Sequence, residues 1–176
     1  MELLDMMKQR RSVRQYTGEA IPDEKIERVL QAGLYSASGR SRLPWEMIVV
    51  RDKEMLNKMA AFREHGSGML SGADCAIVVV ADPTKTDVWA EDCSIVMANM
   101  HLMADHLGLG SCWIQGRLRE SPDGRPTKDY LRDLLGYPEH YELEAILSMG
   151  IAASHPAPYA LEDLPLNQIH REKFSR

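Results

Sequence analysis

A chain of 176 residues, 44% hydrophobic and 27% charged, has the composition of a soluble globular protein with room for one substantial core, and a second independent domain would be cramped. Its formal net charge of -5 argues against a nucleic-acid partner. Three cysteines, Cys75, Cys93 and Cys112, form no Cys-x-x-Cys pair and leave one over if two bridged, so a disulfide framework is not expected and a reducing compartment is. The apolar start Leu3, Leu4, Met6, Met7 is interrupted by Asp5 and lacks a cleavage-like stretch, and no apolar run is long enough to span a bilayer. A cytoplasmic protein without membrane contact is the expectation.

Glu2 to Gln9 carries apolar side chains at helical spacing. Directly after it stands Arg10-Arg11-Ser12-Val13-Arg14, three guanidinium groups and a hydroxyl within five residues. Guanidinium is planar, permanently charged and suited to bidentate phosphate binding, so the cluster reads as a clamp for a small anionic ligand. Pro22 to Tyr35 predicts a second helix with Ile26, Val29, Leu30 and Leu34 on one face and Pro22 in its first turn. The following loop, Ser36 to Trp45, is rich in small and polar residues and holds Arg40 and Arg42. It offers the donors and acceptors that a heteroaromatic ring edge requires.

Glu46 to Arg51 reads as a strand, and Lys53 to Phe62 as a helix broken at Gly66-Ser67-Gly68. Cys75 to Ala81 is a continuous apolar run ended by Asp82-Pro83, which predicts a strand buried on both faces in the middle of a sheet. Asp87 to Leu107 is the longest predicted helix, apolar around most of its circumference, and one small domain can hardly cover it alone. A second copy of the chain is therefore expected against it. Gly108 and Gly110 end that helix and turn the chain into a strand over Ser111 to Gln115, with Gly116 allowing close backbone approach to a flat ligand. A dinucleotide fingerprint is rejected there, because Trp113 takes the place of the third glycine and the motif precedes a strand. Thr127 to Leu135 predicts a helix stopped by Gly136, and Glu142 to Ser148 a last strand. From 151 to 176 the prolines at 156, 158 and 165 forbid helix or sheet interior, which predicts an extended arm lying over a neighbouring subunit.

His101 and His106 project from different helix faces and carry no metal hypothesis. His101 and Asp105 share a face and predict a hydrogen bond. Gly66-Ser67-Gly68 is not a nucleophile elbow, and Cys75 and Cys112 read as inert core thiols.

Taken together, Arg10 to Arg14, the Ser38 to Trp45 loop, Glu91-Asp92-Cys93-Ser94 at the opening of the long helix, and Leu107 to Ile114 resemble the nitroreductase family in order and spacing over most of the chain. The resemblance implies an α+β fold with a central, mostly antiparallel sheet flanked by helices, and an intertwined homodimer with FMN at the interface. It implies phosphate and ribityl contacts from Arg10, Arg11, Ser12 and Arg14, with Arg14 also near the pyrimidine end of the ring. Ser38, Gly39, Ser41 and Leu43 would line the ring from the second subunit, and Ile114, Gln115 and Gly116 would pass beside its N5. The implied chemistry is transfer of a hydride or electrons from NADH or NADPH to a nitroaromatic or quinone acceptor, in ping-pong order, with no amino-acid nucleophile and no metal. A flavin-binding or sensing dimer without turnover, a reductive dehalogenase and a flavin-cleaving enzyme are the alternatives on the same fold. Two departures stand out. Ser41 and Leu43 replace the Asn and Gln common in the family, and Pro158-Tyr159-Ala160-Leu161 offers no cation where many members reach the phosphate, which leaves Arg171 as the next candidate. Acceptor choice is assigned to the stretches 62–72 and 121–127.

Overall fold

A computed structural model describes residues 2–175. The elements run α1 (Leu3–Gln9), α2 (Asp23–Leu34), β1 (Trp45–Val50), α3 (Lys53–Ala60), β2 (Cys75–Ala81), α4 (Trp89–His106), β3 (Gly110–Gln115), α5 (Thr127–Leu135) and β4 (Glu142–Gly150). The four strands pair antiparallel in the order β1-β2-β4-β3, which makes β2 and β4 interior and leaves β1 and β3 as edges. The fold is α+β, with helices on both faces of this sheet.

Every residue of β2 is buried because the period of two sends alternate side chains into two separate cores. Ile77 and Val79 meet Leu147 and Met149 of β4 beneath Ile26 and Val29 of α2 and Val96, Met97 and Met100 of α4. Ala76, Val78 and Val80 face the other way, onto Leu56 and Met59 of α3, Leu131 of α5 and Phe62. The register of β2 against β4 shifts between Val79 and Val80, so Val79 lies opposite Ala145 and Val80 opposite Leu143. Glu144 is the extra residue of this bulge, and its side chain is buried.

Three expectations shift. Pro22 stands one residue outside α2, where its carbonyl accepts from the Lys25 amide at 3.0 Å. Leu34, expected on the buried face of α2, is 61% exposed; Gly33 takes that place because Met100 closes on the helix, 3.0 Å from where a Cβ of residue 33 would be. Helix α3 stops at Ala60 instead of Phe62, and the Ala61 and Phe62 amides turn back onto the carbonyls of Lys58 and Met59.

Helix α4 buries Cys93, Val96, Met97, Met100 and Ala104, yet Ile95 is 41% exposed, Ala98 is exposed and Leu102 is half-buried. Within one chain the helix is thus covered on one side, and an apolar stripe stays open on the other. The arm after β4 begins by folding back on its own chain. The Tyr159 amide donates to the Lys8 carbonyl at 3.2 Å, and His155 Nε2 meets Asp105 Oδ1 at 3.0 Å. Asp105 is therefore engaged with the arm and not with His101. Farther on, Leu161, Leu164, Leu166, Ile169 and Phe174 are all exposed.

Candidate cofactor site

The segment after α1 is strapped onto the end of the sheet. The Val13 amide donates to the Ser111 carbonyl at 2.8 Å, and Tyr16 Oη lies 3.0 Å from the Val13 carbonyl and 2.8 Å from Ser148 Oγ. A Cβ on Gly110 would sit 2.7 Å from Val13, so the strap reaches this depth only because position 110 is glycine. The consequence is that Arg10 to Arg14 runs beside the first residues of β3, with Ser12 bridged to Ser111.

Inside this clamp lies a contact between residues 91 positions apart. Arg10 Nη1 is 2.7 Å from His101 Nε2, and His101 Nδ1 is 2.6 Å from Ser111 Oγ. A guanidinium only donates, so Nε2 must be the bare nitrogen and Nδ1 carries the proton toward Ser111. The imidazole is therefore neutral. Burial, and then the charge of Arg10, push its pKa from the ordinary 6.5 down to about 4. One edge of the Arg10 guanidinium is spent on the histidine, which orients the group, and its remaining N–H donors are left for a ligand. Arg14 is exposed, and among the described residues its side chain hydrogen-bonds only the Ser12 carbonyl, at 3.4 Å. Arg11 is directed elsewhere: it donates to the Ala157 carbonyl and stacks 4.3 Å from the Tyr159 ring centroid.

The far end of β3 holds Ile114, Gln115 and Gly116. Ile114 is 1% exposed and its side chain belongs to the core beneath α3 and α5, so only its backbone is available to a ligand. The Gln115 carboxamide is occupied by Trp113 Nε1 at 2.9 Å and by the Arg117 carbonyl at 3.1 Å. Gly116 is needed for packing within the chain. A Cβ there would lie 2.5 Å from Leu143, and the amides of Gly116 and Arg117 both donate to the Glu144 carbonyl, at 3.1 and 2.9 Å. What faces outward is the free edge of β3. The Ser111 carbonyl points off that edge to Val13 and the Gln115 carbonyl to Arg63 Nη1 at 3.0 Å, and in an antiparallel strand each residue's N–H lies on the same side as its C=O. Trp113 and Gln115 therefore present their amides along this free edge, whose other end, at Ser111, carries the guanidinium clamp, about 13 Å from Gln115 at the usual rise of ~3.3 Å per residue.

Ser38, Gly39, Ser41 and Leu43 form a strained turn at the beginning of α4. The Gly39 amide donates to Asp92 Oδ1 at 2.8 Å, and the Leu43 amide to Ser38 Oγ at 3.1 Å. Arg40, Ser41 and Leu43 all have left-handed φ, at 53, 53 and 45°, a cost that persists only where surrounding structure enforces it. Within one chain this turn does not meet the clamp, since Asp92 and His101 are nine residues apart on α4, about 14 Å. Two buried carboxylates flank the same end of the helix: Asp92, and Glu144, whose Oε1 accepts from Ser94 Oγ at 3.1 Å. Asp92 Oδ2 and Glu144 Oε2 have no partner among the described residues, and burial raises the pKa of Glu144.

The profile of the Nitroreductase family matches residues 7–65 and 60–151. The chain belongs to the nitroreductase family. A protein of Archaeoglobus fulgidus named as an NADH dehydrogenase/NAD(P)H nitroreductase is 39% identical, covering 98% of this chain and 99% of its own length. An FMN-dependent nitroreductase from Clostridium difficile R20291 superposes with a TM-score of 0.95 at 38% identity, over 98% of this chain and 100% of that one. A nitroreductase from Desulfovibrio desulfuricans, solved in complex with FMN, gives a TM-score of 0.80 at 25% identity, over 99% of both chains.

Against the nitroreductase pattern, the sequence had pointed to the clamp but not to the side chains that support it and the rest of the site. His101, Ser111, Arg63 and Glu144 carry no signal of their own, because each acts through a partner distant in the chain. At the C-terminal segment where a family cation was expected, Tyr159 lies beneath Arg11. Leu43 is half exposed, with its backbone donor already used by Ser38.

Proposed function

We propose that the chain is an FMN-dependent oxidoreductase that takes reducing equivalents from NADH or NADPH and delivers them to an electron-poor acceptor of the nitroaromatic or quinone class, working as a homodimer in ping-pong order. The observation that carries this reading is the match along nearly the whole chain to an FMN-dependent nitroreductase, with a guanidinium segment at the end of the β3 edge. The residues fit the cofactor. Arg10 and Arg14 make no ion pair with a carboxylate among the described residues, while Arg51, Arg125 and Arg132 all do. Guanidiniums left uncompensated beside a free strand edge suit a phosphate monoester.

When bound, FMN supplies a ring that accepts a hydride from nicotinamide and passes reducing equivalents to a second substrate. The chain's own part is binding, orientation and electrostatics. Arg10, aimed by His101, and Arg14, with the Ser12 hydroxyl, would hold the phosphate end. The Trp113 and Gln115 amides would line the length of the ligand, and Arg63 fixes the Gln115 carbonyl so that this edge stays straight. Ser38, Gly39, Ser41 and Leu43 would complete the site from the second subunit. The open stripe of Ile95, Ala98 and Leu102, with the exposed Leu34, supports that dimer, as does the apolar arm after 160.

The visible absorption spectrum of purified protein, the identity of the released chromophore and anaerobic NADH or NADPH oxidation coupled to a quinone test the reading together. A yellow protein that turns over is expected, with the mass of two chains in light scattering. A protein that remains colourless after incubation with FMN overturns it, and a yellow protein without turnover points to a flavin-binding module.

A further inference from the structure

We propose that the cleft at the end of β3 is an anion subsite, which selects a substrate carrying a carboxylate or phosphate; this rests on the oxidoreductase reading above. The cleft has a volume of about 530 Å³ and begins at Gly116, the residue next to the Gln115 amide that the reading sets beside the ring. Arg117, Arg119 and Lys128 line it, against Glu120 and Glu142. Lys128 is neutralised by Glu142 at 2.5 Å, whereas Arg117 and Arg119 have no carboxylate within 4.0 Å among the described residues. A third guanidinium, Arg63, reaches the same strand end through the Gln115 carbonyl and lies near enough for Arg119 to add to the effect of burial in lowering its pKa.

Arg63 and Arg119 repel each other, and with Glu120, Glu142 and Glu144 acting on this cluster only at a distance, the like-charge contact costs free energy that a directly bound anion recovers. On a chain of net charge -5, acidic partners were available and are used elsewhere. The turn that presents these groups is also held rigid. The Arg119 amide donates to the Gly116 carbonyl at 3.1 Å, Thr127 Oγ1 donates to that same carbonyl at 2.6 Å, and Leu118 is kept at a left-handed φ of 56°. Trp89 forms one wall, with the Arg117 guanidinium 5.5 Å from its ring centroid, so a flat substrate would find a stacking surface beside the charge. The anion has two possible sources, the phosphate of the NADPH donor or a carboxylate on the acceptor, and the chemistry that binds them is shared.

The test uses purified flavoprotein, wild type and the exposed-site variants Arg119→Gln, Arg117→Gln/Arg119→Gln and Arg119→Lys. Two ratios of kcat/KM are read: NADPH over NADH, and para-nitrobenzoate over its neutral isostere para-nitrobenzamide. Benzoate and inorganic phosphate are titrated separately against tryptophan fluorescence as non-reacting anions. Removing an exposed guanidinium is expected to lower one ratio about fivefold and to weaken anion binding in step, with Arg119→Lys retaining most of both. A fall confined to the nitrobenzoate ratio identifies the acceptor as the source, and one confined to the NADPH ratio identifies the donor. Unchanged ratios and anion affinities in a variant that keeps its flavin and turns over overturn the subsite alone. Loss of flavin from the wild type overturns the parent reading.

Discussion

Acid should disarm the clamp through one residue. His101 is 7% exposed and neutral in the fold, with a pKa lowered from 6.5 to about 4 by burial and by Arg10. An unfolded chain takes up that proton near its ordinary value, while the folded chain refuses it until far lower pH. The stability this contributes is complete above about pH 6.5 and disappears as pH falls toward 4, and the gap between the two values corresponds to about 3 kcal/mol. Protonation of the folded protein also removes the Nε2 lone pair that accepts from Arg10, so FMN affinity should hold through the weakly acidic range and decline only as pH approaches about 4. Urea unfolding across this range, in wild type and His101→Gln, isolates the effect, because the carboxylates common to both proteins cancel in the difference. Wild type should lose about 3 kcal/mol more than the variant on acidification. Parallel pH profiles would refute the assignment of a buried neutral histidine.

Arg10→Ala should weaken FMN binding by about 1.5–3 kcal/mol, the usual worth of a charge-assisted contact, as read by titrating apoprotein with FMN. Gly116→Ala forces a methyl against Leu143 and should cost about 1–3 kcal/mol in thermal or urea unfolding, with or without cofactor. Cys75 and Cys93, both buried and with thiol pKa values pushed up to about 12, should react with a disulfide reagent only at the rate at which the protein opens; rapid labelling of the native state would contradict this.

How far the site could be read without a structure depended on distance along the chain. Arg10 to Arg14 was visible because the donors are consecutive, and β2 because seven apolar residues in a row have few other destinies. Gly116 was visible as a position of close approach, and the structure adds a contact the sequence could not show: its missing Cβ makes room for Leu143, a residue on the neighbouring strand. Leu34 followed helical periodicity faithfully and still ended outside, since Met100 chose Gly33 as its contact. Arg11 looked equal to Arg10 and Arg14 until the arm folded back over it.

Local pattern alone determined the succession of helices and strands, the positive segment after α1 and the likeness to a family of flavoproteins, because periodicity, turn residues and clustered charge act over a few neighbouring positions. Tertiary structure alone decided that His101 would aim Arg10, that a bulge would bury Glu144 and that Arg63 would approach Arg119. Those outcomes depend on which surfaces meet when the sheet closes between its two layers of helices, and the pairing of surfaces leaves no periodic trace in the order of residues.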